Sequence, residues 1–151
     1  GAKEILSFKE AGNYNIIMAS AGSGTMGAGL ILSLQKHQKL LLVSALKNNY
    51  TIENEIKQLL SETEIAEKSF QLNYDYHFGG FAKKTPDLLL FMNTFYQQHQ
   101  IPTDIVYTSK LIYAVDQLIK ENYFENGKSI LVLHSGGLQG NRSLPAGTLK
   151  Y

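Results

Sequence analysis

Cysteine and tryptophan are absent from the 151 residues, and proline occurs only three times. Without cysteine there is no disulfide, no thiolate metal site and no cysteine nucleophile. Charge of one sign is lacking too. Fourteen Lys and Arg face 13 Asp and Glu, for a net +1, and no basic block marks a nucleic-acid surface. No apolar run approaches the roughly 20 residues of a membrane span, and the first 20 residues carry no signal-peptide pattern. The expected compartment is the cytoplasm, with neither nucleic acid nor membrane as partner. No serine sits in a GxSxG elbow. His37, His77, His99 and His134 share no ligand spacing, so no metal is expected.

What is present is a core and a pattern of glycines. Hydrophobic residues make up 44% of the chain, and a chain of this length buries roughly two-thirds of the surface its unfolded form exposes. One domain over residues 1–151 follows. Nine of the 13 glycines fall in three clusters: Gly22, Gly24, Gly27 and Gly29; Gly79 and Gly80; Gly136, Gly137 and Gly140. Clusters at the ends of apolar runs suggest three loops at one edge of a sheet, where open α/β folds bind ligands.

Residues 15–20 (NIIMAS), 39–46 (KLLLVSAL) and 129–133 (SILVL) read as buried strands, Ile105–Tyr107 as a short one and the loosely alternating 70–78 as another. Helices are expected over 25–37, around Ile52–Leu60, after the Ser61–Glu64 capping box, from Thr85-Pro86-Asp87 to about His99, and over 109–123. Their inward residues include Phe91 and Phe95 on the fourth and Ile119 on the last. Alternating strands and helices predict a three-layer α/β fold, a mainly parallel sheet with helices on both faces.

The first glycine cluster, Ala21-Gly22-Ser23-Gly24-Thr25-Met26-Gly27-Ala28-Gly29, joins a strand to a helix. Such a loop aims free amides and a helix N-terminus at one spot, with the hydroxyls of Ser23 and Thr25 beside them, and phosphate is the anion expected there. A Walker A loop needs Lys-Ser or Lys-Thr after its last glycine, and Ala28-Gly29 stand there instead. Gly22, Gly24 and Gly27 match GxGxxG, but the second strand ends Leu46-Lys47-Asn48-Asn49 without the acid that holds a ribose. A single phosphate on a neutral loop, as in pyridoxal phosphate, remains. Two further motifs lie at strand ends: Tyr107-Thr108-Ser109-Lys110 and His134-Ser135-Gly136-Gly137. Lys110 itself is expected in solvent or in a helix-start contact.

Together NIIMASAGSGTMGAGL (15–30), DIVYTSK (104–110) and ILVLHSGGLQG (130–140) resemble the 1-aminocyclopropane-1-carboxylate deaminase and D-cysteine desulfhydrase family of pyridoxal-phosphate enzymes. The resemblance spans nearly the whole chain and implies the large-domain portion of a tryptophan synthase β-like fold. It implies that Gly22, Ser23, Gly24 and Thr25 cradle the cofactor phosphate and that Tyr107 acts at the substrate. Thr108 and Ser135 match positions near the ring nitrogen. In true deaminases these positions are commonly glutamate and an apolar residue, so the pair here leans away from cyclopropane ring opening and looks more like β-elimination from a D-amino acid, or an unassigned relative. Phe81 stands where the family usually has tyrosine. Members are about twice this length and carry their Schiff-base lysine in the N-terminal half. The chain is therefore expected to be a fragment that is inactive alone, with that missing half and a second copy (a homodimer) as partners. Another reading of the residues is a non-catalytic phosphate- or nucleotide-binding module.

Overall fold

In the computed structural model, which describes all 151 residues, the chain crosses one sheet four times in the same direction. Strand β1 (Ile16–Ala21) is followed by α1 (Gly24–Ser33), β2 (Lys39–Ser44), α2 (Ile52–Leu59), the short α3 (Glu62–Ala66), β3 (Ser69–Asn73), α4 (Pro86–His99), α5 (Thr108–Lys120) and β4 (Ile130–Val132). The strand order is β3-β2-β1-β4 and every pairing is parallel, with Ile16 opposite both Lys39 and Ile130. The three-layer α/β expectation holds.

The two central strands are apolar throughout because both of their faces are covered. Alternation sorts their side chains. Ile17, Ala19, Leu40 and Leu42 pack with Leu30 and Ile31 of α1 and Ile52 and Ile56 of α2. Met18, Leu41 and Val43 turn the other way, onto Leu111, Ala114 and Leu118 of α5. A third cluster joins Leu88 and Met92 of α4 to Ile105 and Val106. No helix is long and apolar enough to cross a membrane.

Local signals set the helix starts. The Thr85 hydroxyl accepts the Leu88 N–H at 3.2 Å with Pro86 in the first turn. Ser61 and Glu64 bond each other's backbone reciprocally, at 3.3 and 2.8 Å. Helix ends were less legible. α1 stops at Ser33 rather than 37, where Leu34 turns extended, and α5 stops at Lys120, with Asn122 left-handed beyond it. Ile119 is more than half exposed, and Ala114 takes the inward place on α5. Phe91 is only half-buried, its ring edge-on to Tyr113 of α5 at 5.1 Å.

Ile105–Tyr107 is a turn, not a strand, and the reason lies in its donors. The N–H groups of Val106 and Tyr107 go to Asp104 Oδ1 (2.7 and 2.8 Å), that of Thr108 to Asp104 Oδ2 (2.9 Å) and that of Ile105 to Asn141 Oδ1 (3.0 Å). Side chains have taken the amides that a sheet ladder would need.

Candidate functional site

The three glycine clusters converge on this turn. A Cβ on Gly22 would lie 3.0 Å from the Tyr107 hydroxyl, one on Gly137 3.1 Å from Asp104 Oδ2, and one on Gly140 3.1 Å from Val106 Cγ2. Gly80 reaches the same helix start through Lys110, whose ammonium donates to the Gly80 carbonyl at 2.6 Å. Tyr107 approaches the first loop closely because position 22 has no side chain.

Between the loops opens a cleft of about 360 Å³ lined by Ser20, Gly22, Ser23, Met26, Tyr107 and Ser135. Four residues singled out in the sequence thus share one wall-to-wall space: Gly22, Ser23, Tyr107 and Ser135. The backbone N–H groups of Gly22 and Ser23 donate to no protein group, and Ser23, the residue before α1, is exposed without a capping bond from its hydroxyl. A separate hollow of about 240 Å³ at the opposite end of β1 and β2, lined in part by His37, Lys39 and Lys128, contains none of the predicted residues.

Three predicted residues stand elsewhere. Gly24 gives its N–H to Glu55 Oε2 at 2.7 Å, while Glu55 Oε1 accepts the Thr51 hydroxyl at 2.9 Å. Gly24 is buried, and its contribution here is close packing: a Cβ would stand 2.6 Å from that of Glu55. Thr25 is exposed in the first turn of α1, outside the cleft lining. Thr108 is fully buried. Its hydroxyl donates to Asp104 Oδ2 at 2.5 Å and accepts the Asp104 N–H at 2.8 Å. It braces the turn behind Tyr107.

Ser135 follows His134, which ties the last loop down. One ring nitrogen, Nε2, lies 2.8 Å from the Pro102 carbonyl, and Nδ1 accepts the Gly136 N–H at 3.3 Å. A single neutral tautomer, protonated on Nε2, satisfies both. Phe81 is 61% exposed and does not line the cleft.

Lys110 corrects the sequence reading. It is fully buried, and its Nζ donates to the carbonyls of Ala45 at 3.0 Å and Gly80 at 2.6 Å. Burial pushes its pKa down from 10.5 to about 8, and the Asp104 carboxylate opposes that shift in part. Sequence reasoning also passed over Ser20, Glu55 and Asp104. Asp104 had a usable signal, an acid four residues ahead of a Thr-Ser helix start. Glu55 had none, because its partner is 31 residues away.

A parallel sheet with helices on both faces and a glycine-loop cleft at the strand ends defines a three-layer α/β protein. No protein-family model matches the sequence. A Pyrococcus furiosus protein named "Putative 1-aminocyclopropane-1-carboxylate deaminase" is 30% identical over 136 residues, and a Pyrococcus horikoshii protein of the same name is 28% identical over 134. These matches cover 85% and 84% of this chain and 41% of each relative. Among solved structures, a 1-aminocyclopropane-1-carboxylate deaminase homologue superposes with a TM-score of 0.69 at 25% identity, over 85% of this chain and 41% of that one. The chain is similar to these 1-aminocyclopropane-1-carboxylate deaminase relatives over most of its own length and spans 41% of theirs.

Proposed function

We propose that the cleft is the phosphate and ring end of a pyridoxal phosphate site. The whole protein is then a deaminase or lyase of a small amino acid, releasing ammonia and an α-keto acid. The carrying observation is that Gly22 and Ser23, whose amides have no protein partner, line the same cleft as Tyr107 and Ser135. The residues present fit the group: two free amides and the Ser23 hydroxyl suit one phosphate without a cation. When bound, that cofactor supplies an electron sink for carbanion chemistry.

The chain's own residues have separable tasks. Gly22 and Ser23 bind the anion through backbone. The Ser135 hydroxyl would be the partner for the cofactor's ring nitrogen. Tyr107 Oη, held against Gly22, takes or gives a proton at the substrate. With Thr108 occupied by Asp104, the nitrogen contact falls to Ser135 alone, in keeping with desulfhydrase-like elimination over cyclopropane ring opening. No lysine lines the cleft, so the covalent anchor would come from a segment corresponding to the relatives' remaining length, and a second copy would complete a homodimer.

That missing amine also favours a second reading, a non-catalytic module that holds a nucleotide or phosphorylated metabolite. Amide NMR of the chain titrated with pyridoxal phosphate separates them. The expected result is saturable shifts at Gly22 and Ser23, competed by inorganic phosphate and weakened about tenfold or more in Gly22→Ala, whose methyl must displace Tyr107. Shifts with AMP but none with pyridoxal phosphate support the module. Silence with both removes the cofactor site.

A further inference from the structure

We infer that Lys110 is a positioning residue: its buried ammonium ties the 78–82 loop and the end of β2 to the helix start that carries Tyr107, and so sets the arrangement of the cleft's walls.

The loop needs such a tie. Four of its five residues have positive φ: Phe78 at 52°, Gly79 at 91°, Gly80 at 121° and Ala82 at 50°. The left-handed region is costly for residues with a Cβ and persists where the surroundings over-determine it. The loop's own backbone bonds are all local: Gly79 N–H to His77 Nδ1, Gly80 N–H to the His77 carbonyl, Lys83 N–H to the Gly80 carbonyl. The bond from Lys110 Nζ to Gly80 links it to another element, and the bond to Ala45 extends the link to β2.

Packing follows the same line. The Phe78 ring meets Tyr113, three residues beyond Lys110, edge-on at 4.8 Å. Phe78, Ala82 and Tyr107 all pack on the cluster of Leu88, Met92, Ile105 and Val106. A loop displaced at Gly80 therefore moves side chains that touch Tyr107's surroundings. Methionine would fill the same volume at no charge cost, whereas burying an ammonium is expensive unless it bonds what is buried with it. Around the ammonium, Asp104 is the opposing charge. Lys47 lies against Gly80 and Lys83 against Gly79, and His77 is the loop's other titratable group. The tie stands on geometry alone; what the loop then does at the cleft rests on the cofactor reading.

The test compares hydrogen exchange in the full chain, in Lys110→Met and in Leu34→Ala, a core control in the α1 cluster. In Lys110→Met the amides of Gly80 and Lys83 are expected to exchange at least about tenfold faster, with those of Leu41 and Leu42 much less affected. Tryptophan emission in a Phe81→Trp background should shift in parallel. Leu34→Ala should leave both loop readouts alone. Loop exchange that rises no more in Lys110→Met than in the control overturns the inference. Should Lys110→Met fail to fold, ammonium NMR of the unaltered chain decides. A slowly exchanging Lys110 signal with contacts to Ala45 and Gly80 supports the tie, and a rapidly exchanging, solvent-like signal refutes it. Pyridoxal phosphate titration of the unaltered chain is read separately, so its failure counts against the cofactor site and leaves the tie untouched.

Discussion

Asp104 is a fully buried carboxylate that accepts three backbone N–H groups and one hydroxyl. Asparagine keeps its shape but replaces one acceptor oxygen with a donor and removes the charge that strengthens the others. Bonds to a charged group contribute about 1.5–3 kcal/mol each, and an unsatisfied buried partner costs about 1–3 kcal/mol. Asp104→Asn is expected to lower unfolding free energy by about 3 kcal/mol in urea, against ~0.5 kcal/mol or less for Glu62→Gln on the exposed face of α3. Lys110 gives a pH signature. Between its folded pKa of about 8 and the ordinary 10.5, the folded chain has released a proton that the unfolded chain keeps. Its contribution to stability therefore rises with pH through that window, by ~3 kcal/mol at most, and is flat below it. The stability difference between the unaltered chain and Lys110→Met should grow from pH 8 to pH 10 in denaturant titrations. A difference that shrinks would contradict the assigned direction. Lys110's role could not be read locally, because its acceptors lie 30 and 65 residues away, whereas Asp104 bonds groups only two to four residues on.

Among the elements, α1 shows how opposed local and tertiary terms resolve. It opens on Gly24 and carries Gly27 and Gly29, each poorer than alanine in a helix by about 1 kcal/mol. A Cβ at position 24 would lie 2.6 Å from Glu55 Cβ and 2.8 Å from the backbone nitrogen of Ile56, neither of which can swing aside. Overpacking costs typically 1–3 kcal/mol, more than the propensity gained. Gly24→Ala should therefore melt lower than the unaltered chain, where an exposed helical glycine would melt higher. β1 and β2 were legible because burial on both faces writes an unbroken apolar run. Ile105–Tyr107 was misread for a matching reason. Ile, Val and Tyr favour strands, yet distant Asn141 and nearby Asp104 supply the acceptors that hold them in a turn.

At the scale of the molecule, the sheet brings the loop after β1, the 104–107 turn and the loop after β4 to one edge; the first and third glycine clusters mark two of these three, while Gly80 meets the turn's helix only through Lys110. The cleft's membership was only partly legible. Residues on strand ends and turns reached it, whereas Gly24, Thr25 and Thr108, grouped with them by sequence adjacency, turn to Glu55, to solvent and to Asp104. In the protein completed to the length of its relatives, Tyr107→Phe is expected to lower kcat by about 10²–10⁴ while pyridoxal phosphate binding changes less than about threefold, as for a group that moves a proton rather than one that holds the cofactor. A binding loss equal to the rate loss would assign the phenol a structural task instead.

Glu55 has a consequence for ionic strength. Its carboxylate already sits on the first amide of α1, at the positive end of the helix dipole. An incoming anion meets a neutralised helix end and must be held by short-range bonds from the neighbouring amides. Its affinity should accordingly respond weakly to added salt. Glu55→Gln, measured with inorganic phosphate across a sodium chloride series, should bind more tightly in dilute buffer and lose that advantage as chloride accumulates.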